Sequence, residues 1–138
     1  MVNRYIFVDT SAWFALFDKS DDFHQQAKDF YEANTIPLLT SNFILTETLT
    51  LVKSRLGNSI ALTVGRKFFH ESISSITEID RITLETAWNI FQKYNDKGFS
   101  FTDCTTFAIM ERLTINSAFT FDEHFKQYGK FKCLPSEK

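Results

Sequence analysis

Tyr5-Ile6-Phe7-Val8-Asp9-Thr10-Ser11-Ala12-Trp13-Phe14-Ala15-Leu16-Phe17 is the stretch that decides the fold. Tyr5 to Val8 is a short β-branched and aromatic run of the kind that forms a buried strand. Asp9, Thr10 and Ser11 end it abruptly, and Ala12 to Phe17 is apolar nearly throughout. Thr10 or Ser11 offers a side-chain oxygen to the first free amides of a helix. The reading is strand, polar turn, helix, with Asp9 at the carboxyl end of the strand.

Downstream, Asp21 and Asp22 open a segment in which Phe23, Ala27, Phe30 and Tyr31 fall at helical spacing. Ile36 to Thr40 is extended around Pro37, and Ser41 or Asn42 then caps a long helix that holds Glu47 and ends near Leu56, with Gly57 as a left-handed stop. Asn58 starts another helix through Phe68 and Phe69, and Ile73 to Ile79 alternates as a strand does. Asp80 reads as a plain cap for the helix of Ala87, Ile90, Phe91 and Tyr94. Phe99 to Thr102 reads as a turn before a helix from Asp103 to about Leu113, and Ser117 to Phe121 as a strand ended by Asp122. A short helix over Glu123 to Tyr128 and an edge strand over Phe131 to Leu134 complete the chain.

Strands separated by helices, with no two-residue hairpin signal, call for parallel pairing through crossovers. The expectation is an α/β fold, three-layer α/β/α, around a central parallel sheet of four to five short strands. Residues 1–138 read as one domain without repeat or linker. Hydrophobic residues at 43% and charged residues at 23% exclude a disordered tail or coiled coil. A net charge of -2 excludes a globally basic nucleic-acid binder, so any polyanion must be met locally. The 16 Phe residues read as core filling. Cys104 and Cys133 lack metal-type spacing and fit a reducing compartment. The first apolar run is too short and too soon charged for a signal peptide or membrane span, so the expected location is cytoplasmic, with no membrane.

Four carboxylates sit beside apolar runs that would carry them to one place: Asp9, Glu47, Asp103 and Asp122. Ligands of open parallel sheets bind beyond the carboxyl ends of strands, where Asp9 and Asp122 stand. Taken singly, Asp9, Asp103 and Asp122 also suit helix N-caps, and Glu47 suits a solvated helix face, although Leu45, Leu49 and Val52 lie close around its helix. Converging acids repel one another and need positive charge, which oxygen-only ligands would take from Mg²⁺ or Mn²⁺.

Val8-Asp9-Thr10-Ser11, Asn42-Phe43-Ile44-Leu45-Thr46-Glu47, Ser100-Phe101-Thr102-Asp103-Cys104 and Phe119-Thr120-Phe121-Asp122-Glu123-His124-Phe125 together resemble the PIN domain in order and context. The resemblance implies a metal-dependent endoribonuclease, with Asp9 and Asp103 as primary metal ligands and Glu47 and Asp122 completing the site. It also implies the toxin of a VapBC-type pair, with an RNA substrate and a small antitoxin as partner. Thr10, Ser11, Thr102 and Thr120 are candidates to support the acids. A housekeeping RNA-processing nuclease and a non-catalytic PIN-like binding module are the alternatives. His124, His24 and His70 read as solvated, and Cys104 as a buried small side chain. Lys53, Arg55, Arg66, Lys67 and Lys126 read as surface cations able to border the crevice. Apolar residues around Phe23, Phe30 and the helix of Glu47 hint at a partner surface, for an antitoxin or for a homodimer contact, with core packing as the default.

Overall fold

The computed structural model describes residues 4–136. Five strands, β1 (Ile6–Val8), β2 (Leu38–Ser41), β3 (Ser75–Thr77), β4 (Ser117–Phe119) and β5 (Lys132–Leu134), pair in parallel in the order β3-β2-β1-β4-β5. The chain builds outward from β1 on one side and returns to the other side with β4. The strand order therefore reverses between β1 and β4, and their carboxyl ends open a crevice there. β1 is buried along its whole length, as its unbroken apolar sequence requires.

The connections are helical: α1 (Thr10–Phe17), α2 (His24–Ala33), α3 (Asn42–Leu56), α4 (Asn58–Phe69), α5 (Arg81–Lys93), α6 (Phe101–Leu113) and α7 (Glu123–Tyr128). α1 packs on α2 and α3, α3 on α4, and α5 on α6, so two groups of helices flank the sheet. Aromatic packing fixes the helices that carry the acids. Trp13 of α1 is fully buried and meets Phe68 edge-on at 4.9 Å. Its indole N–H donates to Thr40 Oγ1 at 3.3 Å, and that hydroxyl donates to the Val8 carbonyl at 3.0 Å, locking α1 to both β1 and β2. On the other side, Phe107 of α6 stacks on Tyr128 at 4.2 Å and meets Phe125 edge-on at 5.1 Å, which joins α6 to α7. Phe7, Phe107, Phe119 and Phe125 have no exposed surface, so much of the phenylalanine excess is core.

Several local expectations change. Asp9 itself caps α1, and Ser11 becomes a hydrogen-bond partner of that cap. α6 starts at Phe101 with Ser100 as its N-cap, and Asp103 closes a reciprocal capping box from the third helical position. β3 spans only Ser75–Thr77, and β4 stops at Phe119, leaving Thr120 and Phe121 as a bridge to Asp122. Gly57 has the expected positive φ of 94° but a ψ of 169°, an extended glycine-only conformation in place of a left-handed turn. No helix among the described residues is long and apolar enough to cross a membrane.

Candidate metal centre

Asp9 leaves β1 and Asp122 follows β4, so the two acids flank the point where strand order reverses. Asp103 joins them from the first turn of α6. Each uses one carboxylate oxygen for local structure. Asp9 Oδ2 accepts from Ser11 Oγ at 2.8 Å, Thr120 Oγ1 at 3.1 Å and the Ser11 amide at 3.4 Å. Asp103 Oδ2 accepts from the Ser100 amide at 3.0 Å, while Ser100 Oγ accepts from the Asp103 amide at 3.0 Å. Asp122 Oδ1 accepts from the His124 amide at 2.9 Å. Among the described residues no hydrogen bond reaches the second oxygen of any of the three.

The supporting hydroxyls form a chain across the switch point. Ser11 Oγ lies 3.2 Å from Thr120 Oγ1 and accepts from the Phe121 amide at 2.9 Å, and Thr120 Oγ1 accepts from the Asp122 amide at 3.0 Å. Ser11 and Thr120 therefore tie Asp9 to the strand end that leads to Asp122. Thr10 is buried beside them, with its hydroxyl lacking a hydrogen-bond partner, and Thr102 lies apart on the wall of a groove between α3 and the start of α6.

The electrostatics match the geometry. Burial, then the charges of Asp103 and Asp122, push Asp9 up to about 7, and the bonds from Ser11 and Thr120 only partly offset this. Asp103 is pushed up to about 6, first by burial and then by Asp122, with the Ser100 amide and His124 pulling the other way. Asp103, Asp122 and His124 each present a ligand atom within 4.8 Å of the others. His124 Nδ1 is 3.2 Å from Asp103 Oδ2 and 3.0 Å from Asp122 Oδ1. It is aligned with neither for a hydrogen bond, so a buried ring nitrogen stands without a satisfied partner.

These residues fit a divalent cation. Asp103, Asp122 and the orphaned ring nitrogen of His124 form a close donor set, Asp9 lies near enough to feel both carboxylates, and a cation would relieve the repulsion among the three acids. Glu47 stands elsewhere. It is exposed on the outer face of α3 and lines the groove that Thr102 borders, a volume of about 600 Å³ shared with Phe43 and Leu51. The burial expected from its apolar neighbours is not realised, because Leu45 and Val52 occupy the opposite, inward face of the helix. His124, expected to be solvated, is instead part of the acid cluster. The signal that could have found it is its place two residues after a capping aspartate, where the cap folds the chain back on itself.

The PIN domain family model matches residues 6–131. The chain belongs to the PIN domain family. Within that family it resembles the 23S rRNA-specific endonuclease VapC20 of Mycobacterium tuberculosis, with 32% identity over 94% of this chain and 98% of the relative. The crystal structure of that VapC20, described as a sarcin-ricin loop cleaving toxin, superposes with a TM-score of 0.86 at 31% identity, over 92% of this chain and 97% of the other. The DNA-bound VapBC from Salmonella typhimurium shares the fold alone, with a TM-score of 0.68 at 13% identity over 96% and 97% of the two chains. This PIN-domain chain is thus a VapC-family toxin endoribonuclease.

The other sequence candidates take ordinary roles. Cys104 is buried and its thiol is pushed up to about 11 by burial and then by Asp103, which makes it inert. His24 Nδ1 lies 2.7 Å from the Ala15 carbonyl. Arg55 lies over the Phe14 ring at 5.5 Å, and Lys67 pairs with Glu71 at 3.5 Å.

Proposed function

We propose that Asp9, Asp103 and Asp122 hold Mg²⁺ or Mn²⁺, with Glu47 reaching in from the groove wall, and that the centre cuts ribosomal RNA under control of a small antitoxin. The observation that carries this reading is the division of labour within each aspartate, one oxygen capping a helix and the other left without a partner. Oxygen donors of this kind favour hard divalent cations. When bound, such a cation supplies the charge that activates water and stabilises the leaving oxygen in hydrolysis at phosphorus.

The chain's own contribution is positioning. Ser11 and Thr120 fix the rotation of the Asp9 carboxylate, Ser100 does the same for Asp103, and the first turn of α7 does it for Asp122. His124 stands beside Asp103 and Asp122 with Nδ1 within 3.2 Å of an oxygen of each, a position from which it orients the pair toward a cation. Glu47, on an exposed helix face, is free to swing toward a cation or a substrate, and we assign it the weakest share. Ribosomal RNA is the first substrate class to test because VapC20 is specific for 23S rRNA. An antitoxin is expected because related proteins crystallise as VapBC and toxin–antitoxin complexes. The exposed Trp88 and Phe91 of α5 offer such a partner, or a second copy, an apolar face.

The test is cleavage of a ribosomal RNA hairpin with Mn²⁺, with EDTA, and with the Asp9→Asn and Asp103→Asn variants, folding being checked by circular dichroism. Metal-dependent cleavage lost in both variants is the expected result. Folded variants that cut as fast as wild type would overturn the assignment.

A further inference from the structure

One aromatic surface borders the acid centre without belonging to the core. Phe23, at the start of α2, is 43% exposed and stacks on Phe121 with centroids 4.6 Å apart and planes 12° from parallel. Phe121 in turn meets Phe119 at 6.0 Å, and Phe119 packs on Phe30 at 4.6 Å. The pair is thus the outer end of an aromatic column rooted in β4. The backbone of Phe23 is also held, its N–H donating to Asp21 Oδ1 at 2.9 Å and its carbonyl accepting from the Ala27 amide at 2.9 Å. With one ring face covered by Phe121, the side chain still keeps close to half of its surface open to solvent.

Beside that ring runs a cleft of about 90 Å³, whose lining includes Phe23, Gln26, Phe121, Asp122 and Lys126. Asp122 belongs both to the lining of this cleft and to the acid centre, so the two adjoin at that residue. A strand whose phosphate lies at the acids has its adjoining nucleoside within reach of the ring. Every nucleobase has a π-face that stacks on an aromatic side chain whatever its sequence, and the Gln26 amide offers both a donor and an acceptor to a base edge. Bases inside a duplex are already stacked on both faces, so only an unstacked base from a loop or single strand can use such a platform.

We propose that Phe23, backed by Phe121, is the stacking platform for an unpaired nucleobase adjoining the phosphate cut at the Asp9, Asp103 and Asp122 centre. The inference rests on the reading of that centre as the ribonuclease site. It makes the cleft a selector for looped or single-stranded RNA.

The experiment compares steady-state cleavage of a ribosomal RNA hairpin, with Mn²⁺, by the full chain and by Phe23→Ala, Phe23→Leu and Phe23→Tyr. Leucine keeps apolar bulk and loses the ring, so a packing or protein-docking role would survive it, whereas stacking would not. Alanine and leucine are expected to lower kcat/KM roughly ten- to hundredfold, mainly through KM. Tyrosine is expected to retain near wild-type values, and the Mn²⁺-induced rise in Tm is expected to be the same in all four proteins. Irradiated RNA carrying 5-iodouridine in its loop is expected to crosslink to the peptide that holds Phe23. Active alanine and leucine variants with wild-type KM would overturn the platform alone, leaving the cleft to a protein partner. A wild-type protein that cuts no RNA with Mn²⁺ would overturn the ribonuclease reading and the platform with it.

Discussion

Asp9 and Asp80 hold the same place in local structure and opposite places in electrostatics. Each is the N-cap of a helix, Asp9 accepting from the Ser11 amide at 3.4 Å and Asp80 from the Thr83 amide at 2.9 Å. Asp80 is exposed and is met by Arg112 Nη1 at 2.8 and 2.9 Å. The Thr83 amide first, and Arg112 next, hold its carboxyl down at about 2. Asp9 is buried among other acids and pushed up to about 7. Among the described residues no lysine or arginine lies within ion-pair distance of it. The cap is the same chemistry in both; the cation is what differs. One acid is completed by the chain, and the other is left for a cation from solution.

The comparison breaks most plainly on activity. Asp9→Asn and Asp103→Asn are expected to lose RNA cleavage by more than about a hundredfold, beyond the range for groups that merely orient a metal ligand. Asp80→Asn is expected to cut RNA at the wild-type rate. Equal losses at both sites would mean that the activity follows folding and not the acid centre.

Stability should show the opposite ranking, and even the opposite sign. In metal-free protein Asp80→Ala is expected to lower Tm, since it removes a cap and leaves Arg112 with the Thr83 hydroxyl but no carboxylate. Asp9→Asn is expected to raise Tm at neutral pH, because asparagine still accepts from Ser11 and Thr120 while the buried charge disappears. A lowered Tm in metal-free Asp9→Asn would contradict the burden assigned to that charge.

The pH dependence separates the two acids again. Asp9 titrates near 7 and Asp103 near 6 in the folded chain, against 3.8 ordinarily, so between about pH 4 and 7 the folded state binds more protons than the unfolded one. Stability in EDTA is therefore highest toward the acid end of that window and falls as pH rises through it. Asp80, held at about 2, contributes the reverse slope, but only below about pH 4. Melting curves from pH 5 to 7.5 should show the decline in wild type and a shallower one in Asp9→Asn. A Tm that climbs across this range would contradict the account. The smallest effect is expected at His124, where alanine should weaken Mn²⁺ half-saturation roughly tenfold, as loss of a group that orients ligands does; an unchanged titration would remove His124 from the centre.

How much of this was legible in the sequence follows from what each signal depends on. Strand β1 and its terminal Asp9 depend only on adjacent residues, and so does the Asp122 cap; both are readable from Tyr5-Ile6-Phe7-Val8-Asp9 and Phe119-Thr120-Phe121-Asp122. Asp103 was legible as an acid near a helix start, yet the capping box Ser100-Phe101-Thr102-Asp103 moves that start earlier and turns the acid inward. For Glu47 the apolar neighbours in sequence mislead, because helical phase, not sequence proximity, decides which face it takes. Positions 43, 47, 50, 51 and 54 share the outer face. For His124 the one local signal is its place two residues after the Asp122 cap, and its ring direction depends on how α7 meets α6 through Phe107, Phe125 and Tyr128, contacts between segments far apart in the chain.

The central claim is that the acids at the β1–β4 switch point form one site for a divalent cation. A thermal-shift titration with Mn²⁺ at pH 7.5, run on wild type, Asp103→Asn and Asp80→Asn, tests it most directly. Wild type and Asp80→Asn should gain Tm with metal, by about 2.7 kcal/mol of stability at a hundred times Kd, and Asp103→Asn should gain far less. A wild-type melting curve unmoved by millimolar Mn²⁺, or an equal rise in Asp103→Asn, would contradict it.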